Sequence, residues 1–106
     1  MSYRLLVRPL LKFFDSESAH GLSLSLGSTV ASTVVGQKLL GTLYRTPSLP
    51  VDAFGFRFRH PVGLAAGFDK RCEALSLWPS IGFSWTEVGG ITYHPQDGNE
   101  KPRMFR

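Results

Sequence analysis

Residues suited to chemistry stand together in "VGLAAGFDK", residues 62–70, where a run of small apolar residues stops against Asp69 and Lys70. Glycine and alanine let a flat or phosphorylated ligand come close to the backbone, and a lysine supplies a point charge that neutralises an anion. A second apolar run, "FSWTEVGG", ends in Gly89 and Gly90. In parallel α/β architectures the carboxyl ends of strands face the ligand, so the two glycine-rich ends are candidates for one site. The same residues also describe an ordinary turn with a solvated lysine, and spacing alone does not choose between the two.

The elements that must position these residues can be read along the chain. Residues 3–14 place Leu5, Leu6, Val7, Leu10, Leu11, Phe13 and Phe14 among Arg4, Arg8 and Lys12, a helical stripe with cations on the opposing side. Pro9 bends or restarts that helix, and Asp15 or Ser16 can cap a second one. "SAHGLSLSLGSTVASTVVG" is rich in Ser and Gly and predicts a weak helix to about Leu26, then a loose connection. "GQKLLGTLYR" predicts a short third helix ending before Thr46-Pro47, because the residue preceding proline avoids the helical region.

Beyond the two prolines of "TPSLP" the period changes. "VDAFGFRFRH" alternates around Gly55 as a β-hairpin does. "PVGLAAG" reads as a strand buried on both faces, "RCEALSLW" as a helix, and "FSWTEVGG" as a second buried strand, together a βαβ unit. Pro79 is expected to stop or kink that helix near Trp78. From Ile91 onward Pro95, Asp97-Gly98 and Pro102 exclude a long helix or a central strand.

Composition bounds the function classes. A chain of 106 residues, 42% hydrophobic and 19% charged, is neither disordered nor membrane-spanning, since a span needs roughly 20 consecutive apolar residues. One domain or less is expected. The N-terminus shows no uninterrupted apolar core with a small-residue cleavage site, which argues against a secretory signal. A single cysteine, Cys72, allows no internal disulfide. The net charge of +4 favours an anionic ligand or surface. Three N-terminal helices leave too little chain to cover both faces of a βαβ unit, so the sequence reads as the front of something longer.

"FGFRFRHPVGLAAGFDKRCEAL" followed by "IGFSWTEVGGITYHPQDGNEKPRMFR" resembles the N-terminal part of the quinone-linked, membrane-associated dihydroorotate dehydrogenases. The opening "MSYRLLVRPLLKFFDSESAHGLSL" resembles that family's N-terminal helical segment. The resemblance covers nearly the whole chain but only about a third of a family protein. It implies an α/β fold with residues 1–46 as a helical membrane and quinone-access segment. Residues 47–106 are then the first one or two βα units of a (β/α)₈ barrel, apparently incomplete. It also implies oxidation of dihydroorotate to orotate with FMN in pyrimidine biosynthesis, with electrons passed to a membrane quinone.

By the same resemblance Ala66, Gly67, Phe68, Asp69 and Lys70 match the segment that wraps the flavin, Gly90 lies at the flavin contact of the next strand, and Lys70 also touches the substrate. The charge suits the task, because a lysine beside the flavin and the orotate carboxylate faces negative charge at both. The expected partners are dihydroorotate, quinone and the surface of a bacterial inner membrane on its cytoplasmic face, or of the mitochondrial inner membrane; neither nucleic acid nor a metal is expected. The serine base is expected beyond residue 106, so the chain alone is expected to be inactive; the alternative is a non-enzymatic membrane-binding remnant. Gly90 stands where the family usually has Thr or Ser, His60 where it has Asn, and Tyr93-His94 where it has Pro-Arg. Cys72 reads as structural.

Overall fold

The computed structural model describes residues 4–5, 8–11 and 13–104. They divide into two compact units, one running to Ser23 and resuming at Thr92, the other spanning Leu24–Ile91. Leu6, Val7 and Lys12 of the expected N-terminal stripe lie outside the described residues.

In the first unit a short helix α1, Arg8–Leu11, carries Pro9 in its opening turn, where a missing N–H costs nothing. Helix α2, Ser16–Ala31, follows, its residues from Leu24 onward belonging to the second unit. Its start is fixed by Asp15, which accepts the Ser18 N–H at Oδ1 (2.9 Å) and the Ala19 N–H at its carbonyl, the capping arrangement that satisfies first-turn donors. Helix α2 runs five residues past the expected end at Leu26. Ser23 and Thr29 each donate to the carbonyl four residues back, so these hydroxyls are absorbed by the helix instead of competing with it.

Within the second unit Thr33 caps helix α3, Val34–Leu43, its hydroxyl accepting the Gly36 N–H at 3.0 Å. Strands β1, Val51–Ala53, and β2, Phe56–Phe58, form an antiparallel hairpin with Val51 opposite Phe58 and Asp52 opposite Arg57. The connection Phe54-Gly55 has positive φ at both residues, 54° and 78°, the geometry of a tight type I′ turn whose twist matches the strands. The alternation around Gly55 predicts this hairpin correctly.

The two apolar runs pair in parallel. Leu64 bridges Thr86, its N–H donating to the Trp85 carbonyl and its carbonyl accepting from Glu87 N, both at 2.9 Å. Ser84 N donates to the Val62 carbonyl, one residue out of the register set at Leu64, and there the ladder ends. The expectation of strands buried on both faces is corrected: Val62, Ala65 and Ala66 are exposed, because within the described residues each run has one parallel neighbour and one covered face.

The expected helix over residues 71–78 is also corrected. Residues 69–76 form turns and bends with no helix, and helix α4 is confined to Leu77–Ser80. Cys72 takes a φ of 59°, which no α-helix accommodates. Pro79 therefore does not end a helix; it sits in the first turn of α4, where proline is tolerated. The core of this unit packs Leu24, Ala31, Ala74, Leu77 and Trp78, with Leu40, Leu64, Ile81 and Phe83 against them. Ser28 Oγ donates to the Glu73 carbonyl at 2.8 Å, fixing the 69–76 turns to α2. Among the described residues no helix is long and apolar enough to cross a membrane.

Candidate functional site

The site is built where the two parallel runs end. The Gly89 N–H donates to the Lys70 carbonyl at 3.2 Å, so the chain after the first run lies directly against the chain after the second. A β-carbon at Gly89 would fall 2.6 Å from the Lys70 carbonyl oxygen, closer than real contacts come. Only glycine lets the two ends meet this way. One step earlier, Trp85 lies over Gly63 so closely that a side chain there would enter the indole.

Around this junction Ala66, Gly67, Phe68, Lys70 and Gly90 are all exposed. Gly67 has a φ of 102° and open space where a β-carbon would stand, and Gly90 likewise has nothing within 4 Å of that position. Phe68 leans edge-on against Trp78, ring centroids 5.6 Å apart, which gives the exposed segment a fixed side. The arrangement presents accessible backbone, one aromatic ring and one ammonium group on the same stretch of surface. A flat anionic ligand could use all three.

Asp69 differs from its neighbours. It is fully buried, and its carboxylate accepts from Glu73 N at 2.8 Å, Ala74 N at 3.0 Å and Trp78 Nε1 at 2.9 Å. These bonds curl residues 69–76 around the carboxylate in place of a helix. Asp69 thus holds the segment that carries Phe68 and Lys70, and it acts on any ligand through them. The sequence signal was available in part: a buried tryptophan N–H needs an acceptor, and Asp69 lies nine residues before Trp78. The Gly89–Lys70 contact had no signal beyond the Gly-Gly pair.

Upstream, Ser84 Oγ accepts from Arg59 N at 3.0 Å and His60 N at 3.4 Å, tying the hairpin's exit to the second run. His60 is buried, and its Nδ1 accepts the Val62 N–H at 3.3 Å, a side-chain acceptor role that asparagine's amide oxygen can also fill. A cavity of about 330 Å³ opens beside the hairpin, with Phe58, His60, Pro61 and Trp85 in its wall. It lies at the start of the first run, away from the Ala66–Lys70 end, so it is not the site described above. Cys72 is exposed and unpaired, its N–H donating to the Asp69 carbonyl. Among the described residues no group of three or more His, Cys, Asp or Glu side chains could hold a metal ion.

These features can be set beside known proteins. Residues 48–106 match the family model described as "Dihydroorotate dehydrogenase", and the chain belongs to that family. The whole chain is 45% identical to a dihydroorotate dehydrogenase (quinone) of Psychrobacter sp. (strain PRwf-1), covering 29% of that protein. It is 43% identical to the protein of the same name from Salinispora arenicola, covering 32% of it. Over 95% of its length it is 46% identical to the Mycobacterium tuberculosis (strain H37Rv) protein of that name, covering 29% of it. The chain thus spans about three-tenths of the length of these relatives and corresponds to their N-terminal part.

Proposed function

We propose that the chain supplies the flavin-facing start of the barrel in a quinone-linked dihydroorotate dehydrogenase of pyrimidine biosynthesis. The observation that carries this reading is the Gly89–Lys70 junction. It joins two parallel strand ends, and Ala66, Gly67, Phe68, Lys70 and Gly90 next to it in sequence are exposed. The parallel pairing of Leu64 with Thr86 supports a (β/α)₈ barrel, with residues 47–106 as its beginning and 1–46 as the helical segment that precedes it.

The residues present fit FMN, since open space replaces the β-carbons of Gly67 and Gly90. The FMN-holding residues in this reading are Ala66, Gly67, Phe68, Lys70 and Gly90, with Asp69 positioning them. Bound FMN supplies the acceptor for the electron pair removed from dihydroorotate. Lys70 would bring a positive charge to the substrate carboxylate and to the flavin edge, where negative charge would develop as the flavin is reduced. The exposed backbone of Gly67 and Gly90 admits a planar ring edge at contact distance. No residue of this chain is assigned as the base.

The partners in this reading are dihydroorotate, quinone and a membrane surface, the cytoplasmic face of a bacterial inner membrane or, in a eukaryote, the mitochondrial inner membrane. The quinone in the relatives' names supports the second of these partners. For the third, Leu5, Phe13 and Phe14 are exposed near Arg4 and Arg8 in sequence, and Val35, Leu39 and Leu43 form an exposed stripe on α3. Apolar side chains beside cations suit an interface containing anionic lipid. The test of function is a graft: this chain replacing the matching segment of the Psychrobacter protein is expected to support dihydroorotate oxidation, while the 106 residues alone are expected to show none.

A further inference from the structure

We propose that Glu17 and Arg103 form an ionic latch that fastens the irregular segment 97–103 to the first turn of α2 and opens when its charges are screened. The segment from Thr92 to Met104 contains no helix or strand, so its placement depends on side-chain bonds. Arg103 provides an unusual number of them. Its Nη2 donates to Glu17 Oε1 at 2.7 Å, and its Nε reaches both carboxylate oxygens at 3.3 Å. Its Nη1 donates to the carbonyls of Asp97 at 2.5 Å and Asn99 at 3.1 Å.

The turn is shaped to hold the guanidinium. Gly98, between the two residues whose carbonyls accept from Arg103, has a φ of 77°, and a β-carbon there would stand 2.8 Å from Arg103 Nη1. Lys101 Nζ approaches Glu17 Oε2 at 3.5 Å from the same segment. One carboxylate thus gathers two cations, and one guanidinium gathers a carboxylate and two carbonyls. Isolated surface ion pairs contribute little, but a forked guanidinium in a network of charges is the exception. The side chains of Glu17 and Arg103 are about one-third exposed, at 30% and 33%, so water and salt reach the pair. That exposure makes the latch reversible, because concentrated salt reduces the screening length to about 3 Å. In the open form Lys101 and Arg103 lose their shared counter-ion together.

Trypsin reads the state of the latch directly, because cleavage after Arg103 requires its side chain to leave Glu17. Cleavage after Arg103 is measured relative to cleavage after Arg71, whose side chain is 84% exposed. Glu17→Gln, and the unaltered chain moved from 0.05 M to 1 M NaCl, are each expected to raise that ratio about tenfold, the loss of one charge-assisted interaction. Arg103→Lys, cut at the same site, is expected to show the raised ratio without added salt, since an ammonium cannot span both carbonyls and the carboxylate. A ratio that is unchanged by salt in the unaltered chain overturns the latch, whether or not the variants fold. So does wild-type protection in Glu17→Gln, which would show that the carboxylate charge is not what holds Arg103.

Discussion

The indole N–H of Trp78 donates to Asp69 Oδ2 at 2.9 Å inside the core, and the same carboxylate collects the backbone N–H groups of Glu73 and Ala74. A carboxylate buried this completely is tolerated because donors surround it. The pair therefore sets the path of residues 69–76 and, with it, the position of Lys70.

Asp69→Ala leaves three donors short of an acceptor and is expected to cost about 3 kcal/mol. Trp78→Phe keeps a ring in place but removes one donor, with an expected cost of about 1–2 kcal/mol. Urea unfolding measures both. A cost below roughly 0.5 kcal/mol for Asp69→Ala, the range of an ordinary surface change, would contradict this role.

Gly89 and Gly90 are neighbours with different constraints. Gly89→Ala forces a β-carbon onto the Lys70 carbonyl and is expected to destabilise by about 1–3 kcal/mol, as overpacking does. Gly90→Ala meets nothing within 4 Å and is expected to leave the unfolding midpoint unchanged. Equal effects at the two positions would mean that the junction is not as tight as described.

Phe54 occupies a left-handed position, φ 54°, while remaining 92% exposed. Asparagine adopts that conformation with less strain, so Phe54→Asn is expected to stabilise by about 0.5–1 kcal/mol. Thermal unfolding provides the check, and a lowered midpoint would show that the phenylalanine is held by contacts stronger than its strain.

How much of this was legible in the sequence varied with the range of the forces involved. The hairpin was readable because alternation and the turn glycine are local signals, and the parallel runs were readable as apolar segments closing on glycine. The helix expected over 71–78 was wrong because leucine, alanine and glutamate favour helix only until something stronger competes. Here the competitor is Asp69, which draws the N–H groups four and five residues ahead and leaves Cys72 left-handed. Burial on both strand faces was likewise inferred from the apolar runs, whereas among the described residues Val62, Ala65 and Ala66 are exposed. Arg103 was visible as part of a family motif, but its attachment to Glu17 spans 86 positions and no local pattern encodes it.

Acid titration has a definite sign in the first unit. The Arg103 hydrogen bond, ahead of the attraction from Arg103 and Lys101, holds Glu17 below its ordinary value of 4.5. Hydrogen bonds from Ser18 hold Asp15 below 3.8. Groups depressed in the folded state contribute stability above their ordinary values and lose it as pH falls through the depressed ones. Protection of Arg103 from proteolysis cannot be followed in acid, but the Glu17 and Asp15 carboxyl resonances can. Both are expected to titrate below 4.5 and 3.8 respectively, and Arg103→Ala is expected to raise Glu17 alone.

For the membrane reading, Phe13→Glu and Leu5→Glu place charges in the exposed apolar N-terminal residues. Both are expected to reduce flotation with vesicles containing anionic lipid. Undiminished flotation of the double variant would remove the apolar residues from that role.

Lys70 and the exposed residues beside it are proposed to face flavin and substrate, and the graft into the Psychrobacter protein tests this most directly. The expected result is a chimera that purifies with FMN and reduces quinone with dihydroorotate. In that chimera Lys70→Ala is expected to retain flavin but lose about 100-fold or more in turnover, the scale for removing a preplaced charge. A Lys70→Ala chimera that turns over like its parent would contradict the claim.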